Sequence, residues 1–458
     1  MRKMLYVLTS LMVLSLTAAL PALAARDLDQ RFVAAPAGTD AVPGRYLVLL
    51  EEAAVGSAPG LEAARGVREL TEDLARAFTF RVERTWSDAL TGFVAEMSED
   101  EARHLARHPF VALVEQDYGV QGISAMAPSC YAATSTHPTN TRALPTPVFG
   151  VWKQTLSCKY PSSNCIDNWG LDRIDQRYSP QDGKYTSTLP GTGVFIFVFD
   201  TGIADNREFL NLAGASRVAR SLGQNFSTSG SSTNTIDYLG HGTHVAGLAA
   251  GRTYGVAKIA SMVPIKVCNN SGYCYASGLI SGFNHATALK NAYPGEDAVG
   301  TLSANHSSWK NDTLLVAAVN NMIAAGAQLV QSAGNQGASA CTYSFGNVSD
   351  TIVVGGTDSS DARYDYTSSN ESNYGSCVDL FAPAQEIVSA SRVYNRYCSL
   401  TGTSMAAPHV AGALALYLEQ HPGSTPAQLR SWLISDATTG VLSNVGSGSP
   451  NRLLYVPW

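Results

Sequence analysis

Three polar residues stand where apolar segments meet small ones. Asp200 ends the run GVFIFVFD and is followed by Thr201-Gly202, His241 opens HGTHVAGLAAG, and Ser404 opens SMAAPHVAGALALYLEQ after Gly402-Thr403. Taken singly, each has an ordinary structural use: a carboxylate ends a strand in a turn, and a serine at a helix start satisfies a backbone N–H that the first turn leaves unpaired. Taken together they supply a nucleophile, a general base near neutrality and a carboxylate to hold the imidazole tautomer. Those are the parts of acyl transfer through a serine ester. With neutral His241 as the base, activity is expected to fall below about pH 6 to 7.

Other arrangements carry less chemistry. His244 lies one helical turn beyond His241, but no HExxH pattern or third ligand accompanies it, so a metal pair has no support. His409 follows Pro408 in an apolar helical pattern and is expected to be packed core. A lipase-type hydrolase needs G-x-S-x-G and the chain order Ser, Asp, His. Here residue 406 is alanine and the order is Asp, His, Ser.

The elements around these residues must bring them together. GVFIFVFD (193–200), SMVPIKV (261–267), AQLVQSA (327–333), DTIVVGG (350–356) and VDLFAP (378–383) are uniformly apolar rather than alternating, the mark of strands buried on both faces. The expected fold is α/β, a three-layer, doubly wound, mostly parallel sheet with helices on each side. In such sheets active residues gather at the carboxyl ends of strands.

A smaller unit precedes it. RYLVLL (45–50), FTFRVERTW (78–86), TGFVAEM (91–97) and FVALVEQD (110–117) read as strands, and LEAARGVRELTEDLARA (61–77) and SEDEARHLARH (98–108) as helices. Ser98 and Glu101 form a capping box. The order βαββαβ predicts an α+β, ferredoxin-like module. Residues 118–167 are interrupted by Pro128, Pro138, Pro145, Pro147 and Pro161, and no regular element is expected there, only a linker or an extended arm.

The first 25 residues carry Arg2 and Lys3, an apolar run and an Ala22-Leu23-Ala24 cleavage pattern, as an export signal does. The formal charge of −6 lacks the basic footprint of nucleic-acid binding or of a polybasic membrane patch. Eight cysteines in an exported chain suggest up to four disulfides.

The flanks of the three residues carry a resemblance. DTGI, HGTHVAG and GTSMAAPHVAG resemble the active-site motifs of the subtilisin-like serine proteases. NWGLDRIDQR (168–177), NYGSCVDLFAP (373–383) and NRLLY (451–455) are similar to the proteinase K and aqualysin branch. PGRYLVLL and FVALVEQD resemble that family's inhibitory propeptide. The resemblance implies a nucleophilic Ser404, His241 as base and then acid, and Asp200 as the orienting carboxylate. SAGN (332–335) resembles the segment that carries a side-chain oxyanion donor, here Asn335. Ser303, Ala304 and Asn305, with Ala333 and Gly334, are the implied substrate-binding residues.

The resemblance also bears on cysteines and cofactors. Cys341 and Cys377 sit where aqualysin-like enzymes form a bridge. The relatives' cysteine before the catalytic histidine is missing from IDYLGHGTH, leaving Cys268 for Cys274. Cys130, Cys158, Cys165 and Cys398 can pair in three ways, and the partner of Cys398 could tether the arm near Ser404. No cofactor is implied for catalysis. Structural calcium is suggested at Asp365, because DARYDYTSSNESNYG resembles a proteinase K segment whose aspartate binds calcium.

Where the relatives have Ser-Leu-Gly-Gly along the primary specificity pocket, this chain has Ser303-Ala304-Asn305-His306. Asn305 and His306 add bulk and polarity there, so broad hydrophobic specificity is not assured. The expected layout is a signal peptide (1–25), an inhibitory propeptide (26–120), an arm (121–167) and a catalytic domain (168–458). Cleavage is expected within 118–127, or later near Asn168. The expected activity is that of a secreted or periplasmic, monomeric serine endopeptidase acting on proteins and peptides, made as a self-processing zymogen with its own propeptide as inhibitor. A catalytically silent peptide-binding protein is the rival, and it would have lost Asp200, His241, Ser404 or Asn335.

Overall fold

The computed structural model describes residues 30–55, 61–123, 129–132, 152–155, 168–348, 350–367 and 370–458, with the backbone alone at 129–132 and 152–155. The expected signal peptide, residues 124–127 of the expected processing region, Cys158 and Cys165 lie outside the described residues.

The N-terminal unit runs β1 (Asp40–Leu50), α1 (Leu61–Ala77), β2 (Arg81–Trp86), β3 (Gly92–Glu96), α2 (Glu99–Leu105) and β4 (Val111–Gln121). Its antiparallel sheet has the order β4-β1-β3-β2, the ferredoxin-like arrangement. Helix α1 buries Ala63, Val67, Thr71 and Leu74, a stripe at helical spacing. The capping box at α2 forms in both directions between Ser98 and Glu101.

Two short strands follow, β5 (Ser129–Ala132) and β6 (Trp152–Thr155). The arm therefore contains regular structure that its sequence did not suggest. Neither strand has a pattern of its own, because each pairs with a segment remote in sequence. β6 pairs with β7 (Lys184–Ser187), and β5 with a strand near Ser404 described below.

The large unit continues with β8 (Val194–Asp200), α3 (His241–Ala250), β9 (Ser261–Lys266), β10 (Tyr273–Tyr275), α4 (Ala276–Ala292), β11 (Asp297–Leu302), α5 (Thr313–Ala324), β12 (Gln328–Ser332), β13 (Ile352–Thr357) and β14 (Leu380–Pro383). The hairpin β15 (Ile387–Ala390) and β16 (Arg396–Leu400) leads into α6 (Thr403–Gln420). The main sheet has nine strands, ordered Gln224–Asn225, β9, β8, β11, β12, β13, β14, Arg452–Leu453, Thr438–Thr439. Every pair is parallel except the last.

Alternate residues of one strand feed two cores, which is why the runs read as uniformly apolar. Ile196 and Val198 of β8 join the core with α3 and α6, and Phe197 and Phe199 join that with α4 and α5. β11 escaped the sequence reading because DAVGTL is interrupted by Gly300 and Thr301. The fold needs the glycine, since a Cβ there would stand 2.8 Å from the Phe199 ring. The strand order reverses about β8, with β9 on one side and β11 on the other. Such a switch point opens a crevice at the carboxyl ends of the strands, where Asp200 stands.

The N-terminal unit docks on α4 and α5. The N-cap of α4, Tyr275, offers no side-chain acceptor, and Asp117 supplies one: Ser277 N and Ser277 Oγ donate to its carboxylate at 3.0 and 2.7 Å. Tyr118 donates at 2.7 Å to Asp312, which caps α5 through Leu315 N. Beyond them the strand continues toward the crevice. Its last residues pair antiparallel with β10, Tyr273 opposite Gln121, and so β4 runs past the expected end at residue 117.

Candidate active site

Asp200 closes β8 and His241 is the first residue of α3. Nδ1 of His241 lies 2.8 and 2.9 Å from the two carboxylate oxygens of Asp200, and both side chains are buried. This contact fixes Nδ1 as the protonated nitrogen and leaves Nε2 as the basic one. The approach depends on Gly242, where a Cβ would stand 2.2 Å from the Gly202 carbonyl and 3.0 Å from Asp200. Burial pulls the imidazole pKa down, but the charge and hydrogen bond of Asp200, with the charge of Asp237, more than offset it. The net result is a pKa above the ordinary 6.5.

Asp237 is a member of the site that the sequence reading missed. Its Oδ1 accepts from Thr201 Oγ1, Leu239 N and Gly240 N at 2.8, 2.9 and 2.8 Å. Its Oδ2 accepts from Thr243 N and Thr243 Oγ1 at 2.9 and 2.7 Å. One buried carboxylate thus shapes the loop before His241, caps α3 and holds Thr201 beside Asp200. A carboxylate four residues before a helix-opening histidine is a weak signal, but it was there to be read.

Ser404 is the second residue of α6, in the first turn, whose N–H groups have no carbonyl four residues back within the helix. Pro408 inside α6 cannot donate to the Ser404 carbonyl. Ser303 Oγ donates to it instead, at 2.9 Å, tying the end of β11 to the first turn of α6. The Ser404 hydroxyl donates to the Ser303 carbonyl at 3.1 Å. It is turned there rather than hydrogen-bonded to His241. Such bonds often tighten only when substrate is bound, and rotation about one side-chain torsion redirects the hydroxyl.

Asn335 follows β12. Among the described residues all of its side-chain bonds fall on Oδ1, which accepts from Tyr364 OH at 2.6 Å, Thr403 N at 2.9 Å and Thr403 Oγ1 at 2.7 Å. Three donors on one atom identify it as the carbonyl oxygen, so Nδ2 keeps its N–H groups for another acceptor. Two of the donors belong to the residue before Ser404, so the amide and Ser404 are held as one unit.

The cleft beside them already holds a strand of the chain itself. Ile123 N donates to Gly272 O at 3.1 Å, and Asn305 N to Gly122 O at 3.4 Å. The tail of the N-terminal unit therefore lies between the Gly272 edge and the segment Ser303-Ala304-Asn305. Across from that segment run Ala333 and Gly334, with Gly334 N donating to Thr403 Oγ1 at 3.1 Å.

Residues 191–451 match the subtilase family, and residues 45–121 match the peptidase inhibitor I9 family. The chain belongs to the subtilase family. It is 37% identical to an extracellular serine proteinase of Thermus sp. (strain Rt41A), over 92% of this chain and 91% of that protein. It is 33% identical to alkaline serine exoprotease A of Vibrio alginolyticus, over 91% of this chain and 68% of that protein. Its fold is similar to the crystal structure of a cold adapted subtilisin-like serine proteinase, with a TM-score of 0.55 and 40% identity over 63% of this chain and 97% of that one. The chain is a subtilisin-like serine endopeptidase carrying its inhibitor domain.

His244 is buried under the hairpin, with Nε2 at 3.1 Å from Ile387 O and 2.9 Å from Cys398 O. Desolvation pushes its pKa down to about 3, so it is a neutral packing residue. His409 is likewise buried, with Nδ1 at 2.7 Å from Met405 O and a pKa lowered by desolvation to about 4. The disulfides Cys268–Cys274 and Cys341–Cys377 are both formed. Cys398 is disulfide-bonded too, and in the β5–β16 register its backbone stands opposite Cys130. Asp365 stands exposed on a short strand opposite Glu371, whose carboxylate pairs with Arg363 at 2.5 Å. Among the described residues no group of three or more His, Cys, Asp or Glu side chains converges there or elsewhere. With Asp365 as the one fully exposed carboxylate of this pair, most of the roughly six to eight oxygens that calcium takes would have to come from backbone carbonyls and water. No helix among the described residues is long and apolar enough to cross a membrane.

Proposed function

We propose that this subtilase cleaves peptide bonds through an acyl-enzyme on Ser404. His241 Nε2 takes the hydroxyl proton as Oγ attacks the scissile carbonyl, then delivers it to the leaving amine. Water repeats the exchange, releasing the acyl group as a carboxylic acid. Asp200 holds the imidazole and stabilises its charged form. Asn335 Nδ2 and the Ser404 N–H receive the developing oxyanion, and the positive end of α6 favours that charge. The observation that carries the reading is the contact of both Asp200 oxygens with His241 Nδ1, which leaves Nε2 as the only basic nitrogen of the ring.

Substrate enters as an extended strand between the Gly272 edge and Ser303-Ala304-Asn305, as the chain's own tail does. The tail inhibits by occupying that cleft until it is cut within 118–127. In this reading residues 1–25 are an export signal, 26–120 the inhibitory propeptide and 168–458 the catalytic domain, and the enzyme is secreted and works as a monomer. The arm, 121–167, stays with the mature enzyme. Its support is the pairing of β5 with β16 and of β6 with β7, and the disulfide of Cys398, whose register partner is Cys130. Calcium takes no part in the chemistry.

Casein clearing by the full-length chain and by Ser404→Ala tests the mechanism. Clearing by the wild type alone is expected, with the propeptide left uncut in the variant. Clearing by both, or by neither, refutes it. Amino-terminal sequencing of the mature wild type tests the layout: a start between residues 119 and 128 supports retention of the arm, and a start near Asn168 refutes it.

A further inference from the structure

β11 and β12 are parallel neighbours, with Leu302 opposite Gln331, and both end beside Ser404. Beyond those ends the backbones diverge, one as Ser303-Ala304-Asn305 and the other as Ala333-Gly334-Asn335. Ser404 faces both, through its hydroxyl to Ser303 O and through Thr403 to Gly334 and Asn335. A substrate lying along the tail's path places the side chain on the acyl side of its scissile bond into this gap.

The gap is bridged. Asn305 Nδ2 donates to Ser332 O at 2.5 Å, and Ser332 Oγ lies 3.2 Å from Asn305 Oδ1. Ser332 is wholly buried, so the amide reaches from the rim of the gap to its floor. Gln331 Nε2 adds a second strut, donating to the Ala304 carbonyl at 3.1 Å. His306 is not part of the bridge, because its Nδ1 is engaged by Ser308 Oγ at 2.8 Å.

We infer that the Asn305 side chain fills the pocket beside Ser404, and that this enzyme cleaves after small residues (glycine, alanine, serine) rather than after large apolar ones. A phenylalanine or leucine entering there must break both Asn305–Ser332 contacts and leave a buried carbonyl unpaired. The inference rests on the proposed role of Ser404. It agrees with the chain's own sequence after Ile123, Ser124-Ala125-Met126-Ala127, where three of four residues are small.

The test uses the processed wild type and the variants Asn305→Gly and Asn305→Ala, with paired chromogenic peptides that differ only in alanine or phenylalanine before the scissile bond. Pocket filling discriminates by roughly 10- to 200-fold, so the wild-type kcat/KM ratio of alanine over phenylalanine should exceed about 10. Both variants should lower that ratio by about tenfold or more. The ratio is internal to each preparation and does not depend on how much of a variant folds. A wild type that cleaves phenylalanine as well as alanine, or a ratio unchanged in the variants, overturns the inference. A wild type that turns over neither peptide overturns the assignment of Ser404, and the inference with it.

Discussion

Asp237→Asn separates positioning from chemistry, because Asp237 touches no reacting atom. The carboxylate serves five donors, three of them backbone N–H groups. The amide must put its NH2 where one oxygen was. The less costly choice is the Oδ2 position, since only one backbone donor, Thr243 N, faces it and the Thr243 hydroxyl can turn to accept. The loss is then one charge-assisted hydrogen bond to a buried donor and most of the α3 cap, about 2 to 4 kcal/mol in all. For a unit of this size that corresponds to a fall in Tm of roughly 2 to 7 °C, read by calorimetry in a Ser404→Ala background to prevent self-digestion.

The same substitution has an electrostatic signature that loss of structure alone would not produce. The negative charge of Asp237 helps raise the His241 pKa. A neutral amide therefore lowers it, the base stays deprotonated to lower pH, and the acid limb of the kcat/KM profile moves downward. A Tm unchanged within about 1 °C, or an acid limb that stays or moves upward, refutes the role assigned to Asp237.

Three further outcomes are expected. In the wild type the acid limb of kcat/KM should lie above pH 6.5, because His241 is raised from that value, and a limb below 6.5 contradicts the balance of burial against Asp200 and Asp237. Asn335→Ala should lower kcat by about 10²- to 10³-fold with KM little changed, as the loss of a side-chain oxyanion donor does in subtilisin, and a change confined to KM argues against that role. Gly242→Ala puts a Cβ 2.2 Å from the Gly202 carbonyl, so stability should drop by about 1 to 3 kcal/mol and activity by more than the unfolded fraction explains. Equal activity per folded molecule would show that α3 can retreat without moving His241.

What could be read in advance is local. Buried strands announce themselves by unbroken apolar runs, and helix starts by small residues and caps, so β8, β9, β12, β13 and β14 and the elements of the ferredoxin-like unit were legible. Asp200, His241 and Ser404 stand at the ends of such elements, as their flanks suggested; the Cys341–Cys377 bridge was marked by a family resemblance, and Cys268–Cys274 by the cysteine of those relatives that this chain lacks. β11 was hidden by Gly300, whose reason lies in Phe199 on the neighbouring strand. β5 and β6 were hidden because each pairs with a segment remote in sequence, β6 with one about thirty residues later and β5 with one far along the chain beside Ser404.

Three motifs and their order along the chain, through their resemblance to a known family, pointed to the reaction class here. Tertiary structure alone decided how those groups are held. The five bonds of Asp237, the three donors on Asn335 and the Asn305 bridge to Ser332 join segments from different strands and helices. A hydrogen bond depends on where its two ends meet in space, and no local pattern encodes that meeting.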